Sequence, residues 1–245
     1  MLINDNLRQQ LRTLYDYWFT QFDFPDENGM PYKAAGGNMR YSSRLKKSIP
    51  CNWDVTSLSE STTIATDGVN PNHYHGQIME HYSIPAYDEN YMPVFEKAAQ
   101  IESGKYRVYP DSILVSKLNP KFKRLWDPMC LTENAICSTE FIVYRPINVE
   151  FRSFIYGVLD SDAFYAHMVQ NAVSSTGSRK RIQPEVSSRF LFPVPKDPTV
   201  LRAFCRISTP LLENRNRIIK ENQQLVAFRE WLLPMLMNGQ VTVAD

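Results

Sequence analysis

The sequence is poor in the patterns that announce chemistry. Its four cysteines, Cys51, Cys130, Cys137 and Cys205, are scattered without a CxxC pair, which argues against a zinc ribbon or a disulfide framework and leaves free thiols as the expectation. The longest apolar run covers positions 231 to 237 and contains Pro234, far short of the roughly 20 apolar residues that cross a bilayer. The opening MLIND has no cationic segment followed by an apolar one, so no leader is read there, and a cytoplasmic protein with no membrane partner is expected. Net charge is only +1, so any basic surface must be local. A Gly-rich phosphate loop, a GxSxG elbow and a supported Ser/His/Asp set are all missing.

Partial motifs fail on inspection. NPNHYHG at 70–76 keeps only the first Asn-Pro of the signature used by amino-group methyltransferases. PDSILVSK at 110–117 supplies Asp111 and Lys117, but Val115 stands where a nuclease metal site needs its second carboxylate. His73, His75 and His81, with Glu80 beside the last, form the one histidine cluster. A strand could turn two of them towards a metal, yet polar histidines in a turn rich in Asn and Pro are the commoner case. The sequence therefore assigns no catalytic residue, no metal and no cofactor.

What is present is organised in pieces. Asn4 or Asp5 can cap a helix whose apolar positions, Leu7, Leu11, Leu14, Trp18 and Phe22, line one face. FPDENGMPYKAAGG follows with turn chemistry, so 1–22 reads as a helix standing apart and 23–48 as a linker. From 49 to 197 short β-rich runs such as SILVSKL, EFIVYRP and RFLFPVP alternate with a few helical stretches, notably 151–171, a mixed α/β domain in an α+β chain. Asp197 and Pro198 then open the strongest periodic segment, 198–234, before a tail at 235–245. Phe204, Leu211, Ile218, Leu225 and Leu232 recur every seven residues, with Cys205, Leu212, Ile219, Val226 and Leu233 as a second column. That stripe predicts pairing with another helix, with Arg215, Asn222 and Arg229 on its flank. Pro210 removes a helix hydrogen bond and predicts a kink or two helices. At roughly 1.5 Å per residue the segment is about 54 Å long, too long to bury both columns on one compact body.

Two stretches carry local positive charge. Between positions 105 and 126, Lys105, Arg107, Lys117, Lys121, Lys123 and Arg124 face only Asp111, six cations minus one acid, or +5. The second, SSTGSRKRI, offers Gly177, Ser178, Arg179, Lys180 and Arg181. Cations, hydroxyls and backbone amides near a flexible glycine are what phosphate oxygens need. Lys117, Lys121, Lys123, Arg124, Arg179, Lys180 and Arg181 are therefore candidate DNA contacts, with Asn119 and Ser178 as further polar ones. The other reading is a protein-interaction scaffold whose basic loops are merely solvated.

LYDYWFTQFDFPDENGMPYKAAGG, SIPAYDENYMPVFE, DSILVSKLNPKFKRLW, STEFIVYRP, GSRKRIQPE, FLFPVP and FREWLLPMLMNGQV, in this order and spacing, resemble the specificity subunit of type I restriction-modification enzymes. The resemblance implies a target-recognition domain flanked by a short N-terminal helix and a long coiled-coil-like spacer helix. It implies no activity of its own, double-stranded DNA as ligand, and methyltransferase and restriction subunits as partners. That family typically has two recognition domains; this chain has one, so a homodimer, or pairing with a second half-subunit, is implied. QQLRTLYDYWF at 9–19 is also an approximate copy of QQLVAFREWLL at 223–233, as though the N-terminal helix repeated the end of a spacer.

Overall fold

The computed structural model describes residues 2–174 and 179–238. The chain opens with the α-helix Leu2–Tyr15, which continues as a π-helical turn, Asp16–Thr20. Leu11, Tyr15, Trp18, Phe19 and Phe22 all sink into the main core, and the wider π turn lets Trp18 and Phe19 point inward together. The sequence predicts a helix standing apart and a linker over 23–48; neither is found. Phe24 stacks on Tyr32 at 4.7 Å and on Trp53 at 5.1 Å, and the strands Met39–Ser42 and Lys47–Pro50 pair as an antiparallel hairpin. The glycines and prolines do make turns, but the aromatic side chains between them have Trp53 to bury against, and that holds the segment on the body.

The centre is a four-stranded antiparallel sheet in the spatial order Leu125–Trp126, Ile113–Ser116, Phe141–Pro146, Thr62–Ala65. Its middle strands are apolar at consecutive positions because both faces are covered. Side chains alternate between them: Ile113, Val115, Leu125, Ile142 and Tyr144 join the main core with the helices, while Leu114, Trp126, Phe141 and Val143 join a second core around Tyr82 and Tyr87. On that second side lies a five-stranded mixed sheet, in the order Gly68–Val69, Lys105–Arg107, Ala135–Ser138, Ile78–Tyr82, Val94–Lys97.

His81 of this sheet meets Glu96 at 2.5 Å through Nδ1, while its Nε2 is buried without a partner. Burial outweighs Glu96 and holds the imidazole below its ordinary value of 6.5. A folded pKa below the unfolded one means that stability is complete above the unfolded value and is lost as pH falls towards the folded one. Denaturant midpoints taken across mildly acidic pH should therefore rise with pH up to about 6.5, and His81→Gln should flatten that rise. An unaltered profile in the variant would place its origin elsewhere.

The helices Arg152–Asp160 and Asp162–Gln170 bury Phe154, Tyr156, Val158, Leu159 and Phe164 under the sheet. Gly157 is required where Tyr15 crosses: a Cβ there would lie 2.4 Å from the tyrosine ring. The strand Leu191–Pro195 pairs with Trp53–Ser57 and leads into the long helix Thr199–Met237, whose first N–H donates to the Asp197 carboxylate at 3.0 Å. This helix runs unbroken through Pro210 and Pro234, so the predicted division into two helices does not occur. Leu201, Phe204, Cys205, Ser208 and Leu212, on either side of exposed Pro210, are buried and hold the helix across the missing bond.

The stripe divides along its length. Phe204 is fully buried among Trp18 and Phe19 of its own chain, at 5.7 and 5.0 Å, so it is not free for a partner helix. Leu211, Ile218 and Leu232 are partly covered. Leu225 is 65 % exposed, and Val226, Phe228, Trp231, Leu233 and Met237 also face outward. Arg215, expected on the flank of a helix pair, is buried against the Tyr91 ring of its own domain, 4.9 Å away.

Candidate nucleic-acid interface

The two cationic stretches are one surface. Residues 117–124 form the loop between the strands Ile113–Ser116 and Leu125–Trp126, where Leu125 sits opposite Val115. Asn119 turns the loop with φ +47°, a conformation that asparagine tolerates better than most residues, and the Phe122 N–H closes the turn on the Asn119 carbonyl at 2.9 Å. The second stretch then docks on this loop. Asn119 N–H donates to the Lys180 carbonyl at 2.7 Å, and the Lys180 N–H donates back to Asn119 Oδ1 at 3.0 Å. Leu118 and Arg181 form an antiparallel bridge, and the Ile182 N–H donates to the Lys117 carbonyl at 3.2 Å.

The candidate side chains fall into two groups. Three are held by acids of the same chain: Lys123 by Asp160 at 2.9 Å, Arg124 by both oxygens of Asp88 at 2.7 Å, and Arg181 by both oxygens of Glu140. Lys123 also lies over the Tyr165 ring at 5.1 Å, and desolvation holds its pKa below the ordinary lysine value despite Asp160. The hydrogen bonds from Arg124 to Asp88 and from Arg181 to Glu140 raise both guanidinium pKa values. Lys117, Lys121, Arg179 and Lys180 make no ion pair among the described residues. Of these Lys121, Arg179 and Lys180 are exposed. Ser178 and Gly177 lie outside the described residues.

Phe122 is 50 % exposed, with Lys121 Nζ 4.8 Å and Arg124 Cζ 5.4 Å from its ring. The result is a surface of fixed backbone, free ammonium and guanidinium groups and one open aromatic ring, suited to phosphates and an adjacent apolar contact. Sequence reasoning found the cations but not their acidic anchors. Asp88, Glu140 and Asp160 are 36 to 41 residues from their partners, and nothing local marks them. His73 and His75 sit in an exposed turn, apart from His81 on its strand. Among the described residues no group of three or more His, Cys, Asp or Glu side chains is placed to hold a metal ion. No described helix is long and apolar enough to cross a membrane.

No family model and no curated protein matches the sequence. Solved structures do match the fold. A chain from work on complex assembly and conformational transition of the type I R-M system aligns with TM-score 0.54 at 20% identity, over 78% of this chain and 49% of that one. The HsdS subunit from Thermoanaerobacter tengcongensis aligns with TM-score 0.53 at 17% identity, over 80% and 52%. The S subunit of a type I restriction-modification system from M. genitalium aligns with TM-score 0.52 at 15% identity, over 94% and 54%. The chain thus spans about half the length of each. Its mixed α/β body between a short N-terminal helix and a long C-terminal one has the fold of type I specificity subunits.

Proposed function

We propose that this chain is the DNA sequence-recognition component of a type I restriction-modification enzyme, doing no chemistry itself and directing methyltransferase and restriction subunits to a two-part site. The observation that carries this reading is the joining of two sequence-distant cationic stretches into one surface, on a body with the specificity-subunit fold. In this reading 49–197 is the target-recognition domain, supported by the N-terminal helix, and 198–234 is the spacer. Lys117, Lys121, Arg179 and Lys180 bind phosphates directly. Asn119 shapes the loop, and Lys123, Arg124 and Arg181 hold it in place through their acids.

The distal half of the spacer gives the second recognition unit its place. Leu225, Val226, Phe228, Trp231 and Leu233 leave a broad apolar surface uncovered around this end of the helix, which fits an antiparallel second copy. A helix of 39 residues extends about 58 Å at roughly 1.5 Å per residue, longer than the about 34 Å of one DNA turn. A gapped target with two half-sites follows from that length.

Lys117→Ala with Lys180→Ala should weaken binding to all duplexes alike and reduce the slope of log K against log[salt] by up to about 1.8, roughly 0.9 for each phosphate no longer neutralised. Fluorescence anisotropy with random duplex DNA checks this; an unchanged slope would move the interface elsewhere. The function itself is tested by co-purification with a methyltransferase subunit and mapping of the methylated positions. A chain that joins no methyltransferase and binds no DNA would be a scaffold of another kind.

A further inference from the structure

Charge is distributed unevenly along the first quarter of the chain. Between positions 28 and 53 there is no Asp or Glu, although the whole sequence of 245 residues has 26 of them; at that density nearly three would be expected. The same stretch holds Lys33, Arg40, Arg44, Lys46 and Lys47, five cations against no acid, on a protein whose total is +1. The fold places them on the hairpin Met39–Ser42/Lys47–Pro50 and the turn before it.

The hairpin is an exposed ribbon with an organised base. Arg40 is pinned to it, donating to the Cys51 and Trp53 carbonyls and touching Asp54 Oδ1 at 3.4 Å. Arg44 donates to the Val55 carbonyl at 2.9 Å through one Nη. Lys47 lies over the Phe22 ring at 5.2 Å. Lys33, Arg44, Lys46 and Lys47 form no ion pair among the described residues, whereas Arg40 and Lys196 share Asp54. Tyr41 is 67 % exposed beside them, and Arg40, Tyr41, Ser43, Arg44 and Asp54 line a shallow polar cleft. Two guanidinium groups meet one carboxylate there, which Arg40 already touches, so an excess of cationic donors remains, as a phosphate-binding face needs.

Both this hairpin and the loop 117–124 reach the N-terminal helical segment: Lys123 shares Asp160 with Arg8, and Lys47 lies over the ring of Phe22, just past its end.

We infer that the hairpin is a second, sequence-independent DNA contact, which grips backbone phosphates flanking the half-site read by the domain. The inference rests on the DNA-recognition reading above. Its partner is duplex DNA rather than an acidic protein surface, because the phosphate-binding loop proposed at 117–124 belongs to the same chain and reaches the same N-terminal helical segment.

The test uses the full chain, random-sequence duplex DNA and the triple variant Lys33→Ala, Arg44→Gln, Lys46→Asn. Asparagine suits the positive φ of +52° at Lys46, and Arg40 is spared because it staples the hairpin. The salt slope should fall by about 0.9 for each cation that sat on a phosphate, up to about 2.7 for the three. Lys33→Arg with Lys46→Arg, which keeps the charge, should retain the slope. The inference is overturned if the triple variant binds with the slope of the unmodified chain. It is also overturned if the variant loses a methyltransferase subunit while its DNA binding is intact, which would make the hairpin a protein contact. Should the unmodified chain bind no duplex at any salt, the recognition reading fails and this inference with it.

Discussion

Trp231→Glu combined with Leu225→Glu should abolish the proposed pairing of two copies through the long helix without loosening the body of the chain. Trp231 and Leu225 are 56 % and 65 % exposed, and the Trp231 ring lies 5.7 Å from that of Phe228, so this surface offers large apolar anchors that remain open to solvent in the isolated chain. Anchors of this type typically contribute about 2 kcal/mol or more each at an interface. Losing both costs on the order of 4 kcal/mol, near a thousand-fold in dissociation constant, and two-fold symmetry makes each change count in both copies. The carboxylates add desolvation and mutual repulsion. Sedimentation or light scattering reads the outcome, and thermal unfolding of the monomeric body should be nearly unchanged. An unmodified chain that stays monomeric at micromolar concentration, or a double variant that dimerises as before, would refute pairing through this surface.

Asp127→Ala should strongly destabilise the mixed α/β body. Its carboxylate is buried, 1% exposed, and receives the Arg152 guanidinium on one oxygen and Asn216 Nδ2 of the long helix at 2.8 Å on the other. Arg152 also donates to the Asp111 and Ser112 carbonyls at 3.2 and 2.8 Å, so it remains in place, only 19 % exposed, when its counter-ion is gone. Breaking a buried pair in this way costs about 3–5 kcal/mol, and for a chain of this size Tm should fall by on the order of 10 °C. The pair itself need not be worth that much. Asp127→Leu with Arg152→Met should recover most of the loss, since neither charge is then stranded. Calorimetry on the three proteins decides; a mild effect of Asp127→Ala alone would mean that water reaches Arg152.

The same carboxylate shows where sequence reading reaches its limit. The strands were legible because Ile113 to Val115 is a short aliphatic run with β-branched ends and Phe141 to Tyr144 a β-branched and aromatic one, and the long helix because its apolar residues repeat. The cationic loops were legible as compositions. Their union was not, because the reciprocal hydrogen bonds of Asn119 and Lys180 join residues 61 apart in sequence. The segment 23–48 misled because Gly and Pro dominate its appearance, while Phe24 and Tyr32 decide its position by stacking near Trp53. Phe204 misled for a related reason. Heptad spacing marks a face of a helix but cannot say whether that face meets its own domain, as at Phe204, or stays bare, as at Leu225.

The alternation of the central strands bears on where this body can vary. Leu114 and Val143 belong to one core and Val115 and Ile142 to the other, so inserting one residue within either strand would send every later side chain into the wrong compartment. The loop from 117 to 124 begins and ends on that wall without contributing to the alternation. Its exposed tip, Lys121 and Phe122, can be exchanged while the two interiors and the anchors at Asn119, Lys123 and Arg124 stay in place. Variation at that tip is thereby uncoupled from the ability to fold, and a library randomised only at positions 121 and 122 should consist mostly of well-folded proteins.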